Sequence, residues 1–163
     1  MMSYKGTRVL GLVFLAVFLA FGDAVLGGSV NFRPVMAQST KQSQQTDRQA
    51  IQALINRQLK ATNEENLQGI RDTYHPNSSE MDKMEPLLQQ IFKAADIKTE
   101  VNKTEFLKIS ANEAIVRLTL TGRKIRGPQE FRNNRSVVRC NLQKYNGQWK
   151  FYSSQLEKIE YLD

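Results

Sequence analysis

The spacing of apolar residues changes period along the chain, and each change marks an element. Val9 to Phe21 is an unbroken apolar or glycine run, whereas Gln38 to Gln45 holds no apolar residue. Ile51, Leu54, Ile55 and Leu59 then recur at helical spacing, predicting a first helix from about Asp47 to Ala61. Leu67, Ile70 and Tyr74 repeat that spacing beyond Asn63-Glu64-Glu65-Asn66. A third helical stripe uses Leu87, Leu88, Ile91, Phe92 and Ala95, with Pro86 in its first turn. After it the period falls to two. Val116, Leu118 and Leu120 alternate with Arg117, Thr119 and Thr121; Val138, Cys140 and Leu142 alternate with Arg139, Asn141 and Gln143. Four strands are expected: Val101–Ser110, Ala114–Ile125, Ser136–Tyr145 and Trp149–Tyr161. Helices first and a strand meander last imply an α+β domain, its N-terminal helices packed in the concavity of a strongly curved, mainly antiparallel sheet around a cavity.

Punctuation between these stripes is readable. Thr46-x-x-Gln49 has the form of a capping box for the first helix. Asn63 is the expected N-cap of the second, with Glu64 and Glu65 set against its dipole. His75-Pro76 ends that helix, because proline excludes its predecessor from the α region. Ser78-Ser79-Glu80 opens the third segment, which Pro86 divides. Asn146-Gly147 calls for a type I′ hairpin turn.

The apolar run Val9–Phe21 is shorter than the roughly 20 residues of a membrane span. Lys5 and Arg8 precede it, and small-residue sites follow at Gly22-Asp23-Ala24 and Val35-Met36-Ala37. Extending it to Leu26 would bury Asp23, at about 2.5–3.5 kcal/mol near a helix centre. The pattern is that of a signal peptide at residues 1–37, cut after Ala37 with Ala24 as the other site. A flexible polar leader follows at 38–45, then the domain at 46–163. The product is expected in the periplasm or outside the cell, with an N-terminal membrane anchor as the alternative. One cysteine precludes an internal disulfide, so the fold relies on its apolar core. The net charge of +7 admits an anionic surface or partner without specifying one.

Ile51-x-x-Leu54-Ile55, Asn63-Glu64-Glu65-Asn66-Leu67-x-x-Ile70-x-x-x-Tyr74 and the hairpin Asn146-Gly147-Gln148-Trp149-Lys150 resemble the nuclear transport factor 2-like superfamily. That cone-shaped fold includes ketosteroid isomerases and SnoaL-like cyclases. The resemblance covers about Thr46 to Asp163. Arg123–Pro128 and Phe131–Arg135 are similar to segments of a bacterial subgroup of unknown function. One such fold serves enzymes, adaptors and binding modules alike. The resemblance implies a cavity for a small apolar or anionic molecule, with Gln58, Tyr74 and Asp82 as the candidate lining. It also implies pairing of two copies through the sheet's outer face, with Glu157 and Glu160 as partners for its arginines.

Isomerase chemistry of that superfamily needs a carboxylate base, a tyrosine and a protonated acid in the cone. By resemblance Gln58 stands at the tyrosine's place and Asp82 at the base's. Ala114–Arg126 contains no acid, so the set is incomplete, and a non-catalytic binding or interaction domain is the expectation. An isomerase- or cyclase-type enzyme using Asp82 is the alternative. His75, the only histidine, reads as part of a helix terminator, and Cys140 as a small core residue. No spaced ligand set for a metal exists and no cofactor is implied. Arg117, Arg132, Arg135 and Arg139 are candidate anion contacts in the most basic stretch. Nucleic acid is disfavoured, because Phe131 is the only aromatic ring interleaved with them.

Overall fold

The computed structural model of the protein describes residues 37–162. Its elements are α1 (Ala37–Asn63), α2 (Leu67–Arg71), α3 (Glu80–Ala94), β1 (Asp96–Ile109), β2 (Glu113–Arg126), β3 (Asn134–Tyr145) and β4 (Gln148–Tyr161). The strands form one antiparallel meander in the order β1-β2-β3-β4. The central β2–β3 pair keeps an unbroken register. The outer pairs do not: β1 slips against β2 at three points and β4 against β3 at two. Each bulge bends its strand and increases the local twist. The sheet therefore curls at both margins, and the helices fill its concave side. This is the curved α+β sheet expected from the apolar pattern, in the cone shape that the resemblance implies.

The core follows the predicted stripes. Ile51, Leu54 and Ile55 of α1 meet Ile70 and Tyr74, Met81 and Met84 of α3, and the inward rows Val116-Leu118-Leu120 and Val138-Cys140-Leu142. Trp149 and Phe151 close the group from β4. Leu59 is only half-buried. Ile91, Ala95 and Phe131 make a smaller cluster where the β2–β3 loop meets the end of α3.

Several boundaries differ from the sequence expectation. The polar tract Gln38–Gln45 is part of α1, not an irregular leader. Its glutamines and Lys41 are adequate helix formers, and a helix already nucleated by the buried stripe propagates into them at little cost. Thr46 is accordingly mid-helix, its hydroxyl donating to the Gln42 carbonyl rather than capping. Asn63 ends α1, and Asn66 is the N-cap of α2, accepting from the Gly69 N–H at 2.9 Å. Between them Glu65 takes a left-handed conformation (φ 55°) and the Asn66 N–H reaches back to the Ala61 carbonyl, the geometry of a Schellman stop. α2 is only five residues long. Tyr74 and His75 lie beyond it, so His75 does not sit on a helix C-terminus. α3 runs through Pro86 without division. β1 begins at Asp96, earlier than Val101, because its first residues pair with Thr121–Arg126 of β2. The expected type I′ turn is present, with φ of 49° at Asn146 and 75° at Gly147. Residues 1–36, which carry nearly all of the expected signal segment, lie outside the described residues.

Free sheet edges are held from within the chain. Asn63 acts as one residue of an extra strand beside β1: its side chain donates to the Thr99 carbonyl at 2.9 Å and accepts from the Thr99 N–H at 2.8 Å. On the other margin, the His75 N–H donates to the Phe151 carbonyl and the Phe151 N–H to the Thr73 carbonyl. Pairing these groups removes the template that an open edge offers to other chains.

Candidate functional site

The residues expected to line the cavity are separated by the fold. Gln58 is buried on α1, where its side-chain oxygen accepts the Thr73 hydroxyl. Tyr74 is buried against the Phe151 ring at 5.7 Å between centroids, and its hydroxyl faces Met84 Sδ at 4.0 Å. Asp82 does not join them. Its side chain is 73% exposed and pairs with Arg71 at 3.3 Å, beside the Arg71–Glu85 ion pair. The third helix turns it outward because Met81 and Met84 take the inward positions. Asp82 thus faces solvent rather than the cone in this structure, and Gln58 and Tyr74 are engaged in packing.

The carboxyl that does approach the interior is Glu80, one turn before Met84. It accepts from the Ser154 backbone N–H and from the Ser154 hydroxyl, both at 2.8 Å. Removal from water pushes its carboxyl above the usual range, and the Ser154 donors only partly offset this. Its charge adds to burial in raising the Tyr74 phenol, and likewise the Cys140 thiol. Glu80 was available in the sequence as the i−4 neighbour of Met84, although Ser78-Ser79-Glu80 reads first as a helix start. Cys140 is fully buried and held protonated, as suits a core residue. His75 is buried between Tyr145 and Tyr152, and its Nδ1 accepts from the Asn77 N–H at 3.0 Å. Among the described residues no cluster of side chains suits a metal ion.

The convex face is the second candidate surface. Arg117 and Arg139 stand directly opposite one another on β2 and β3. Glu157, placed by the β4 bulge, binds Arg117 through two contacts of 2.6 and 3.3 Å. That ion pair lowers the Glu157 carboxyl and raises the guanidinium. Glu157 is therefore used within the chain. Arg135 lies opposite Glu160, one end of the same face, while Arg132 sits apart in the β2–β3 loop, over the Tyr161 ring at 4.8 Å. The four expected anion contacts thus divide. Arg117, Arg135 and Arg139 share a face, and Arg132 belongs to the margin.

Comparison with known proteins adds a family to this geometry. Residues 53–162 match the family described as the anti-sigma-I factor RsgI9, C-terminal domain. The chain belongs to that family. The match takes in the second half of α1, from residue 53, and all of the elements that follow it. Solved structures place its fold. An NTF2-like protein of unknown function from Pseudomonas putida is 12% identical with a TM-score of 0.57, covering 69% of this chain and 86% of that one. A hexachlorocyclohexane dehydrochlorinase, LinA-type3 from Novosphingobium barchaimii, is 14% identical with a TM-score of 0.56, covering 75% and 94%. An uncharacterized protein with a cystatin-like fold from Caulobacter vibrioides is 20% identical with a TM-score of 0.56, covering 71% and 89%. At these identities the likeness is one of fold, the nuclear transport factor 2-like cone. No curated protein matches the chain.

Proposed function

We propose that this chain is an exported, non-catalytic binding domain whose working surface is the outer face of its sheet. The observation that carries the reading is the fate of the three interior candidates. Gln58 is committed to Thr73, Tyr74 to Phe151 and Met84, and Asp82 to solvent and Arg71. A base needs to lie within hydrogen-bond reach of its substrate in the cone, and Asp82 does not. Family membership supports a regulatory setting, since the description is that of a domain of an anti-sigma factor. Export rests on the charged start, the short apolar run and the small-residue sites of residues 1–37.

The test is turnover and processing. The purified protein, wild type and Asp82→Asn, is incubated with a Δ5-3-ketosteroid, and neither is expected to isomerise it. Turnover by the wild type that Asp82→Asn abolishes, with the fold intact by circular dichroism, would sink the non-catalytic reading. N-terminal sequencing of the protein from its host should find a start at Gln38 or Val25. An intact Met1 in the membrane fraction overturns export by cleavage.

A further inference from the structure

The segment that protects the β4 edge stops halfway along it. Thr73, His75, Ser78 and Glu80 bond the outer side of β4 at Phe151, Tyr152 and Ser154. From Gln155 to Tyr161 no backbone group on that side is bonded among the described residues. One hydrogen bond fixes the phase of this free stretch. The Leu162 N–H donates to the Asn133 carbonyl at 2.8 Å, which makes the adjoining partners Tyr161↔Asn134 a non-hydrogen-bonded pair. Pairs alternate along an antiparallel ladder, so Glu160↔Arg135 is hydrogen-bonded and Ile159↔Ser136 is not. The N–H and C=O groups of Ile159 and Tyr161 therefore point away from β3, into the open edge. The bulge at Glu157 lies before this stretch and leaves Lys158–Tyr161 regular. Side chains are sorted here as well. Ile159 and Tyr161 continue the inward rows of Ser136 and Asn134. Those two residues are buried, whereas Ile159 is half-buried and Tyr161 exposed. Lys158 and Glu160 face outward, opposite Val137 and Arg135.

We propose that a second copy of this chain pairs with this edge, β4 against β4 antiparallel, joining two four-stranded sheets into one. The inference goes beyond the binding-domain reading and does not depend on it. A two-fold axis at Ile159 satisfies the backbone and the charges together. The two Ile159 residues form a hydrogen-bonded pair, each N–H donating to the carbonyl of the other. Lys158 then stands opposite Glu160 of the second copy, and Glu160 opposite its Lys158. These are non-hydrogen-bonded positions, where side chains come closest, about 4.5 Å between Cα atoms. Opposite charges so placed stabilise a ladder. Within one chain Lys158 and Glu160 are exposed and 3.8 Å apart. Lysine on an edge ordinarily keeps other strands away; in this register its charge is answered. The neighbouring registers lose that match. An axis at Lys158 sets lysine on lysine, an axis at Glu160 sets glutamate on glutamate, and both call on backbone groups that already face β3. On the inward side the two Ile159 side chains meet and cover each other. The two outer faces come to lie side by side on one surface of the joined sheet.

Sedimentation equilibrium of the protein purified from its host should show a reversible monomer–dimer equilibrium. Ile159→Pro should remove the dimer and keep the fold, because the N–H it deletes is not part of the β3 ladder. Lys158→Glu and Glu160→Lys should each weaken association about tenfold or more, since each sets two like-charged pairs across the axis. Mixed in equal amounts, these two variants should associate about as well as wild type, each supplying the charge the other lacks. No association in the mixture, with both variants folded by circular dichroism, overturns the proposal. A dimer that a folded Ile159→Pro leaves intact places the second copy elsewhere and overturns it too. The Ile159 N–H should exchange slowly in concentrated protein and fast on dilution. Protection that ignores dilution would mean that the chain covers its own edge, against the proposal. A monomer at every concentration also overturns it, and gives the open edge to an extended segment of another protein.

Discussion

Glu80 shows how much one side chain does in this fold. Its two oxygens close the β4 edge at Ser154, and its stem lies in the inward stripe of α3. Replacing it with alanine strands the Ser154 N–H and should cost about 1–3 kcal/mol, read as a lower urea midpoint. Glutamine keeps one acceptor for the N–H and removes the charge. The Glu80 carboxyl is raised in the folded state by desolvation. Its favourable contribution is therefore present below the unfolded pKa of 4.5 and is lost as pH rises through the folded value. Glu80→Gln should then match or exceed wild-type stability at pH 7 and lose that advantage toward pH 4. A wild type clearly more stable than Glu80→Gln at neutral pH would show that the charge itself is favourable here. No local pattern points to Ser154 as the partner, because the two residues are 74 positions apart.

Among the elements, the β2–β3 loop is held by a contact that no local pattern announces. Gly127 has φ of 134°, and a Cβ there would lie 2.6 Å from Ala95 Cβ and 2.9 Å from Ala95 Cα. Gly127-Pro128 is legible as a turn, but the second requirement comes from the end of α3. Gly127→Ala should cost about 1–3 kcal/mol through strain and overlap, and should loosen Phe131 from Ile91 and Ala95. Thermal unfolding of the variant checks the first, and hydrogen exchange at Phe131 the second. Unchanged melting would mean that the loop moves away freely. α1 illustrates the opposite limit. Its buried half follows from Ile51, Leu54 and Ile55, whereas its polar half is helical by propagation, which a search for amphipathic stripes overlooks. A clasp at its middle was also out of reach: Asp47 accepts the Trp149 indole N–H at 2.9 Å and the Lys144 ammonium at 2.8 Å.

For the whole molecule, acid stability should be set by carboxylates on the margins of the sheet. Arg126 holds the Asp96 carboxyl below its usual range, and Arg117 does the same for Glu157. A depressed folded pKa contributes stability that is present above the unfolded values of 3.8 and 4.5 and lost as pH falls through the folded ones. Both pairs are solvent-exposed, so the effect is modest and screened by salt. A urea midpoint followed from pH 7 to pH 2 should fall on its acid limb. Asp96→Asn with Glu157→Gln should flatten that limb, and an unchanged limb would place the acid sensitivity elsewhere.

Alternation and periodicity determined the element order, the strands other than the start of β1, and most of the core, and Asn146-Gly147 determined the type I′ hairpin. These depend on short-range sterics and on burial of one face, which each segment writes into its own spacing. Resemblance supplied the cone. Only the tertiary structure decided which polar groups meet: Asn63 with Thr99, Glu80 with Ser154, Glu157 with Arg117, and Asp82 with the solvent rather than with Gln58 and Tyr74. Those pairings depend on how far each bulge turns an edge strand and on which face of α3 the methionines occupy. Neither is a property of any one segment, since a one-residue shift in register exchanges inside for outside.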